Sequence, residues 1–328
     1  MAIVESIPRP QRRGALLALG LIAAPFLIHG TIGWFRMAPE KYQSRDRQGA
    51  AAAESASPAP RELPNFRRII TIGPNAAEII CELGCCDGII ATDKFCAFPP
   101  ALRDRPRIGG LFDPDLERIV ALKPDLLVLR GRDESVESLA KERGIELYFD
   151  KTDTLDGIET CIADLGRLLS REDRANQMIA EFRERIESVR RRVAGRPRPR
   201  VLVTLSRQPD RLANLMTAGK GTFTDEMIAV AGGENIFGHL DMAYPQISGE
   251  SILAGRPEVI LEMMPEAELT PDWESRIRGQ WQSLGPLPAV EHNRVHIVTE
   301  ANGLIPSPRY VEIIEKVSRL LHPEAWDE

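Results

Sequence analysis

The sequence predicts an α/β protein of two similarly built lobes joined by one long helix. A short pattern occurs twice, beginning at Glu117 and at Glu250. In each copy an amphipathic helical turn leads into Lys/Arg-Pro-Asp/Glu and then into an apolar run, which is typical of a helix followed by a buried parallel strand. Between the copies, residues 172–193 keep apolar side chains at helical spacing and end at Gly195-Arg-Pro. This helix is the natural connection between the lobes, and a single helical connection predicts little motion between them.

Strands and helices alternate on both sides of this helix, as in mostly parallel sheets with both faces covered. In the first lobe we predict strands at residues 67–72, 88–92, 126–130 and 145–149, and helices at 73–84 and 155–169. In the second lobe we predict strands at residues 201–205, 259–263 and 295–298, and helices at 224–231 and 309–321. The expected domains are 65–171, a connecting helix over 172–196, and 197–328, and 328 residues suffice for two hydrophobic cores.

The first 64 residues predict a targeting segment and a linker. Residues 14–35 contain no Lys, Arg, Asp or Glu and follow Arg9, Arg12 and Arg13, a pattern typical of a segment that enters a membrane. A cleaved signal peptide and a retained anchor both fit residues 1–40, and the lack of an Ala-x-Ala site just after the apolar run favours the anchor. Residues 41–64 are rich in Ala, Ser and Pro and predict a linker. The folded part is then expected in the periplasm or another extracytoplasmic space.

The composition predicts a globular, acidic protein that does not bind nucleic acid. The chain has 43% hydrophobic residues, 27% charged residues and a net charge of −6. The arginine-rich stretch 183–200 is interleaved with Glu181, Glu184 and Glu187 at helical spacing, which indicates a solvated helix face and not a polyanion site.

The cysteines predict structural or disulfide roles. An odd count leaves at least one thiol unpaired. Cys81 and Cys85 have a spacing that a metal site would allow, but no histidine lies nearby to complete one, so we predict no metal site. The five cysteines are Cys81, Cys85, Cys86, Cys96 and Cys161.

Seven segments, in order over residues 65–323, resemble the class III substrate-binding proteins of cobalamin and ferric-siderophore ABC importers. They are Arg67-Arg-Ile-Ile-Thr-Ile-Gly-Pro-Asn-Ala-Ala-Glu, Phe98-Pro-Pro, Ile108-Gly-Gly, Leu116-Glu-Arg-Ile-Val-Ala-Leu-Lys-Pro-Asp, Gly232-Gly-Glu-Asn-Ile-Phe, Tyr244-Pro-Gln-Ile-Ser and Ser307-Pro-Arg. The resemblance implies two Rossmann-like lobes with a ligand in the cleft between them, and a membrane permease with ATPase subunits as partners. The fifth and sixth segments are most similar to the cobalamin-binding branch, which implies a corrinoid ligand, with a ferric siderophore or haem as the alternative.

Parallel sheets bind ligands beyond the carboxyl ends of their strands, so the residues just after strands are the candidates. Phe95, Tyr244 and Met216 suit a broad, flat, mostly apolar ligand. For Leu111 and Leu129, ordinary packing at a strand end is an equal alternative. Arginine forks match carboxylate or phosphate groups, so Arg130, Arg132 and Arg207 are candidates for recognising such groups. The positions that match the corrin-gripping residues of the family are Phe95, Leu111, Leu129, Met216 and Tyr244.

Glu117 and Glu250 match the glutamates that pair with permease arginines in this family. Asp115 and Ser248 stand two residues before them as predicted N-caps, which places both carboxylates in a first helical turn. Two such carboxylates on similar lobes can engage both halves of a two-fold permease, and a mere preference for the helix dipole is the alternative.

No motif predicts an enzyme or a bound cofactor. The sequence lacks Gly-x-Gly-x-x-Gly opening a helix, a phosphate-binding loop, Gly-x-Ser-x-Gly and His-Glu-x-x-His. An enzyme on Rossmann-like lobes and a sensor or scavenger of the same ligand remain as rival functions.

Overall fold

A computed structural model describes residues 66–208, 210–265 and 267–327. The predicted signal or anchor segment at 1–40 and the linker at 41–64 lie outside the described residues. Within the described part of the chain, no helix has both the length and the apolar character needed to cross a bilayer.

The first lobe is a four-stranded parallel sheet with helices on its faces. Its strands lie in the order β2-β1-β3-β4. Every residue of β1 is buried, because both faces of the sheet are covered. The strands are β1 (Ile69–Ile72), β2 (Ile89–Thr92), β3 (Leu126–Arg130) and β4 (Glu146–Asp150). The helices are α1 (Pro74–Glu82), α2 (Leu116–Leu122), α3 (Glu134–Arg143) and α4 (Leu155–Leu168).

Helix α5 (Glu172–Val193) leads into the second lobe, which has a parallel sheet of its own in the order β10-β9-β5-β7 and a small antiparallel pair, β6 with β8. Its strands are β5 (Arg200–Thr204), β6 (Leu215–Met216), β7 (Glu234–Asn235), β8 (Gln246–Ile247), β9 (Val259–Met263) and β10 (Val295–Val298). Its helices are α6 (Phe223–Val230), α7 (Gly249–Gly255), α8 (Pro271–Leu284), α9 (Pro288–Glu291) and α10 (Tyr310–Leu321).

The two sheets have the same internal order. In each, the first strand lies between the second and the third, and the fourth is at the far edge. The repeated sequence pattern occupies equivalent positions, α2 with β3 and α7 with β9. Both helices end on a residue in the left-handed conformation, Lys123 and Arg256, with φ of 47° and 45°. The proline that follows prevents the helix from continuing, and the left-handed residue reverses the chain before it.

The α/β fold with two lobes and a long connecting helix is confirmed. The bounds of β3, α5, β9 and β10 agree with the prediction, and most other predicted elements differ by one or two residues. The sequence analysis missed the helices α3, α8 and α9 and the short strands β6, β7 and β8. Two residues form each of these three strands, too few for a periodic pattern. The lobe limits 65–171, 172–196 and 197–328 stay a prediction.

The lobes share a hydrophobic core in addition to a cluster that belongs to each lobe alone. Helix α5 buries Ala175, Met178, Phe182, Ile186 and Val189, and it packs against both α4 and α10. One buried cluster therefore runs from β1 and α1 through α5 to β5 and α10. Two smaller clusters belong to one lobe each and lie on the other faces of the sheets.

The predicted disulfide role of the cysteines is confirmed. Cys81 and Cys86 form a disulfide at the end of α1. Cys85, Cys96 and Cys161 are free thiols, of which the last two are buried. In the residues that the structure describes, no group of three or more His, Cys, Asp or Glu side chains could hold a metal ion.

We expect the Phe182→Ala substitution to lower the free energy of unfolding of the whole chain by about 4 kcal/mol, because it leaves a cavity in the shared core. Urea unfolding should stay a single transition shifted to lower urea. Arg190→Ala on the exposed face of α5 is the control and should change the free energy by less than about 0.5 kcal/mol. Two transitions, only one of them shifted, would contradict a shared core.

Candidate functional site

The carboxyl ends of the strands of both sheets lead into loops at the junction of the lobes. The Phe223 amide donates to the Asp153 carbonyl at 2.6 Å, and the Leu155 amide donates to the Glu226 carboxylate at 2.6 Å. Asp153 and Leu155 follow β4, whereas Phe223 and Glu226 open α6, so these bonds join the lobes. The space between the two sets of loops is the cleft where parallel sheets present ligand contacts.

Phe95 lies in a loop that a buried carboxylate holds. Asp93, which is fully buried, accepts from the Gly73 amide at 2.9 Å and from the Phe95 amide at 2.7 Å. Burial raises the pKa of the Asp93 carboxyl, and these two hydrogen bonds oppose that rise. Phe95 itself is half-buried and is therefore accessible at the lobe surface.

Leu111 lies beside this loop, at the tip of a tight turn. The Lys94 amide donates to the Gly109 carbonyl at 2.8 Å, which joins the two segments. Gly109 has φ of 94°, and a Cβ on it would lie 2.4 Å from the Asp113 carbonyl oxygen, so the turn requires glycine at this position. Leu111 is half-buried, whereas Phe112, next in the chain, is 70% exposed.

Arg130 ends β3 and is held by residues that follow β4. Its guanidinium donates to Thr152 Oγ1, and its Nη2 lies 3.7 Å from Asp153 Oδ1. Asp150 is buried nearby and accepts from the Asn75 amide nitrogen and from the Thr152 amide. Burial raises the pKa of Asp150, and the Arg130 charge opposes that rise. Arg130 is thus fixed in position while a quarter of its side chain stays exposed.

Met216 and Tyr244 come from the second lobe and lie close together. Met216 is the last residue of β6, and the next residue, Thr217, donates its amide to the Pro245 carbonyl at 3.1 Å. Burial raises the pKa of the Tyr244 phenol, the Arg130 charge opposes the rise, and the Asp153 carboxylate adds to it. Tyr244 of the second lobe is therefore within electrostatic range of Arg130 and Asp153 of the first lobe. Tyr244 keeps 37% of its surface exposed.

Three candidates from the sequence are engaged elsewhere. Leu129 is only 2% exposed and packs in the core of the first lobe, as its alternative interpretation held. Arg132 pairs with Glu137 on the surface, with Nε 2.9 Å from Oε1. Arg207 is buried, and its Nε lies 3.0 Å from Glu262 Oε1. Thr204 and Trp281 also donate to Glu262, so Arg207 belongs to a buried polar network of the second lobe.

Two exposed residues were missed. Phe112, and Met242 with 49% of its surface exposed, are large apolar side chains in loops of different lobes. For Phe112 a signal existed, because a phenylalanine within Gly-Gly-x-x-Asp-Pro stands in a tight turn that cannot bury it. Met242 carries no comparable signal in the sequence.

Glu117 and Glu250 are exposed and stand in equivalent first turns. The predicted N-caps are confirmed: Asp115 accepts from the Arg118 amide at 2.9 Å, and Ser248 accepts from the Ser251 amide at 3.2 Å. Among the described residues, no ion pair engages either glutamate. Both helices begin at the carboxyl ends of the strands of their sheets. Both carboxylates therefore lie on the side of the lobes where the cleft opens.

A groove of about 680 Å³ lies outside the cleft, on the second lobe, and contains none of the predicted ligand residues. It runs along the edge strand β7 between α6 and α7. Arg200 crosses it to donate to the Gly255 carbonyl. The groove is open to solvent, and its lining combines charged and small residues.

Comparisons with known proteins support a binding protein. The chain is 28% identical over 268 residues to a vitamin B12-binding protein of Vibrio cholerae, covering 81% of this chain and 91% of the relative. It is 27% identical over 197 residues to a vitamin B12-binding protein of Yersinia pestis, covering 59% and 68%.

Solved structures have the same fold. The periplasmic vitamin B12 binding protein BtuF of Vibrio cholerae superposes with a TM-score of 0.67 and 26% identity, covering 80% of this chain and 99% of that one. A periplasmic heme binding protein from Pseudomonas aeruginosa superposes with a TM-score of 0.69 and 22% identity, covering 79% and 93%, which shows the fold alone.

The family model described as periplasmic binding protein matches residues 69–301, most of both lobes and the helix between them. The chain therefore belongs to the periplasmic binding protein family, whose members bind and transport ligands.

Proposed function

We propose that this chain is the extracytoplasmic substrate-binding protein of an ABC importer and that it holds a corrinoid between its lobes. The observation that carries the proposal is the lobe junction itself, where Asp153 of the first lobe accepts from the Phe223 amide of the second lobe and pairs with Arg130, whose charge acts on Tyr244. The relatives named for vitamin B12 support the corrinoid as the ligand. The function is binding and delivery, without catalysis.

The exposed apolar residues of the cleft loops suit a large flat ligand. Phe112, Met242 and Tyr244 are large apolar or aromatic side chains that stay exposed, and such side chains are candidates for ligand contacts. Aromatic and methionine side chains bury large areas against a ring system, and methionine adapts to irregular shapes. We add Phe112 and Met242 to the proposed contacts Phe95, Leu111, Met216 and Tyr244, and we assign Leu129 to packing.

Arg130 favours haem or a ferric siderophore as the second candidate ligand. Its guanidinium keeps part of its surface exposed and can donate to a carboxylate or phosphate. A ligand with several carboxylates gains more from this side chain than a corrinoid, whose periphery is mostly amides. The Asp153 carboxylate beside Arg130 weakens this preference, because it already compensates part of the positive charge.

We expect Tyr244→Ala to weaken binding of cyanocobalamin by about tenfold to a hundredfold, because an aromatic contact at the centre of the cleft is lost. Arg130→Gln should weaken binding of hemin far more than binding of cyanocobalamin. Isothermal titration calorimetry of the purified chain measures both. Trp326→Ala is the matched aromatic control, remote from the cleft. If wild-type protein binds hemin and not cyanocobalamin, the corrinoid proposal is wrong and the second candidate stands.

We further propose that Glu117 and Glu250 contact arginines of the permease, one on each half. Each exposed ion pair is worth little alone, but two on one rigid body act together and raise the effective concentration of the second contact. Their equivalent positions on the two lobes support this role.

The double substitution Glu117→Ala with Glu250→Ala should abolish uptake in cells, while ligand affinity in the purified protein stays unchanged. The matched control is Glu134→Ala with Asp272→Ala, which removes one first-turn acid from each of α3 and α8. The control should transport normally. Normal uptake by the first double variant would refute the docking role.

Residues 1–64 are proposed to bring the protein to the outer face of the inner membrane, as an anchor or a cleaved signal.

A further inference from the structure

Two of the segments that stand out in the sequence meet across the lobes. Glu78 ends the first segment, on α1, and Ser307 and Arg309 belong to the last, before α10. The Ser307 hydroxyl donates to Glu78 Oε2 at 2.6 Å. The Arg309 guanidinium donates to both carboxylate oxygens, Nη2 to Oε1 at 2.7 Å and Nε to Oε2 at 3.0 Å. Neither ligand contact nor permease contact explains this arrangement.

The carboxylate of this ion pair is buried. The Glu78 side chain is fully buried, and that of Arg309 is 22% exposed. A buried carboxylate has lost its hydration and depends on its partners, so removal of the arginine would leave an uncompensated charge. The two-point geometry also fixes the orientation of the guanidinium plane, which a single contact would not do.

The same guanidinium contacts the loop that carries Phe95. The Arg309 Cζ atom lies 3.7 Å from the centroid of the Phe98 ring, which is a cation–π contact. Phe98 is three residues after Phe95. At the other end of this loop, Asp93 accepts from the Phe95 amide. The loop is thus held at its start by a residue of its own lobe and near its end by a residue of the other lobe.

We propose that Arg309 is a positioning residue: held by Glu78 and Ser307, it latches the two lobes together and fixes the loop 94–98 through Phe98. The consequence for ligand binding rests on the proposed function, because Phe95 acts on a ligand only if the cleft holds one. The latch itself consists of protein side chains alone, so its test does not require a ligand.

This latch complements α5. The shared core around α5 joins the lobes through apolar packing, which sets no single orientation by itself. The Glu78–Arg309 pair adds a directional contact between residues 231 positions apart. An opened latch would allow the first lobe to move as a body and would release the Phe95 loop at the same time.

Hydrogen–deuterium exchange of the ligand-free full chain, followed by mass spectrometry, tests the latch. Phe98→Ala keeps the ion pair and removes the stacked ring, so we expect about tenfold faster exchange in residues 94–98 with little change around Ser307. Phe98→Tyr keeps the ring and should exchange as the wild type does. Arg309→Lys keeps a charge for Glu78 but loses the planar fork, and it should accelerate exchange at both segments.

Glu315→Gln is the matched control. It removes the ion pair between α10 and α5, in which Arg185 Nε lies 3.0 Å from Glu315 Oε1. Exchange at residues 94–98 should stay unchanged in this variant. Unchanged exchange of this loop in both Phe98→Ala and Arg309→Lys would overturn the proposal. Exchange at the loop amides measures opening of the loop directly, because the amides of Lys94, Phe95 and Cys96 are hydrogen-bonded.

A second measurement separates this inference from the proposed function. Phe98→Ala should weaken binding of cyanocobalamin or hemin, whichever the wild type binds, by about tenfold through a looser Phe95 loop. If the wild type binds neither compound, the proposed ligand classes fail, while the exchange result still decides the latch. If exchange accelerates in Phe98→Ala and affinity is unchanged, the loop does not contribute to binding, and the positioning role is overturned.

Discussion

The packing of α5 against both lobes is the constraint on which the rest of the structure depends. Because one apolar cluster passes through this helix, the two sheets cannot separate without exposing the buried face of α5 to water. The carboxyl ends of both sheets are therefore held facing a common space. The Glu78–Arg309 ion pair also joins the two lobes, but it does so through a directional contact and not through a large buried apolar area. Apolar packing holds the lobes together, and the ion pair selects one arrangement among those that packing permits.

The two lobes share a scaffold but fix their cleft residues in different ways. In the first lobe, buried carboxylates hold the loops: Asp93 fixes Phe95, and Asp150 holds Asn75 and Thr152 beside Arg130. In the second lobe, a short antiparallel pair holds Met216, and Tyr244 lies two residues before its second strand. Buried carboxylates are costly unless hydrogen bonds satisfy them, so the bonds that Asp93 and Asp150 accept indicate that the position of these loops matters. The two sheets have the same strand order, but the contacts that hold the cleft residues differ between the lobes.

The sequence predicted those elements in which one local pattern was decisive. Strands β3 and β9 begin with apolar runs of four and three residues after Pro-Asp or Pro-Glu, and α5 combines a helical period with a clear stop. Helix α3 was missed because only Val136 and Ala140 of its ten residues are buried, which leaves almost no apolar stripe. For the site, the type of a residue did not reveal which residues distant in the sequence it contacts. Arg207 looked available until Glu262, 55 residues later, accounted for its charge, and the contact between Glu78 and Arg309 has no local signature at all.

A fixed lobe arrangement also bears on how two distant acidic residues could work together. Glu117 and Glu250 each begin a helix that packs on a different sheet, so their separation depends on how the sheets are held and not on either helix. A flexible connection would make the two contacts independent, and each alone would be a weak surface ion pair. A rigid connection converts the second contact into an intramolecular event, which is where the gain from two sites arises. The same rigidity makes docking sensitive to the cleft, because any ligand that changes the lobe spacing also changes the distance between the two carboxylates.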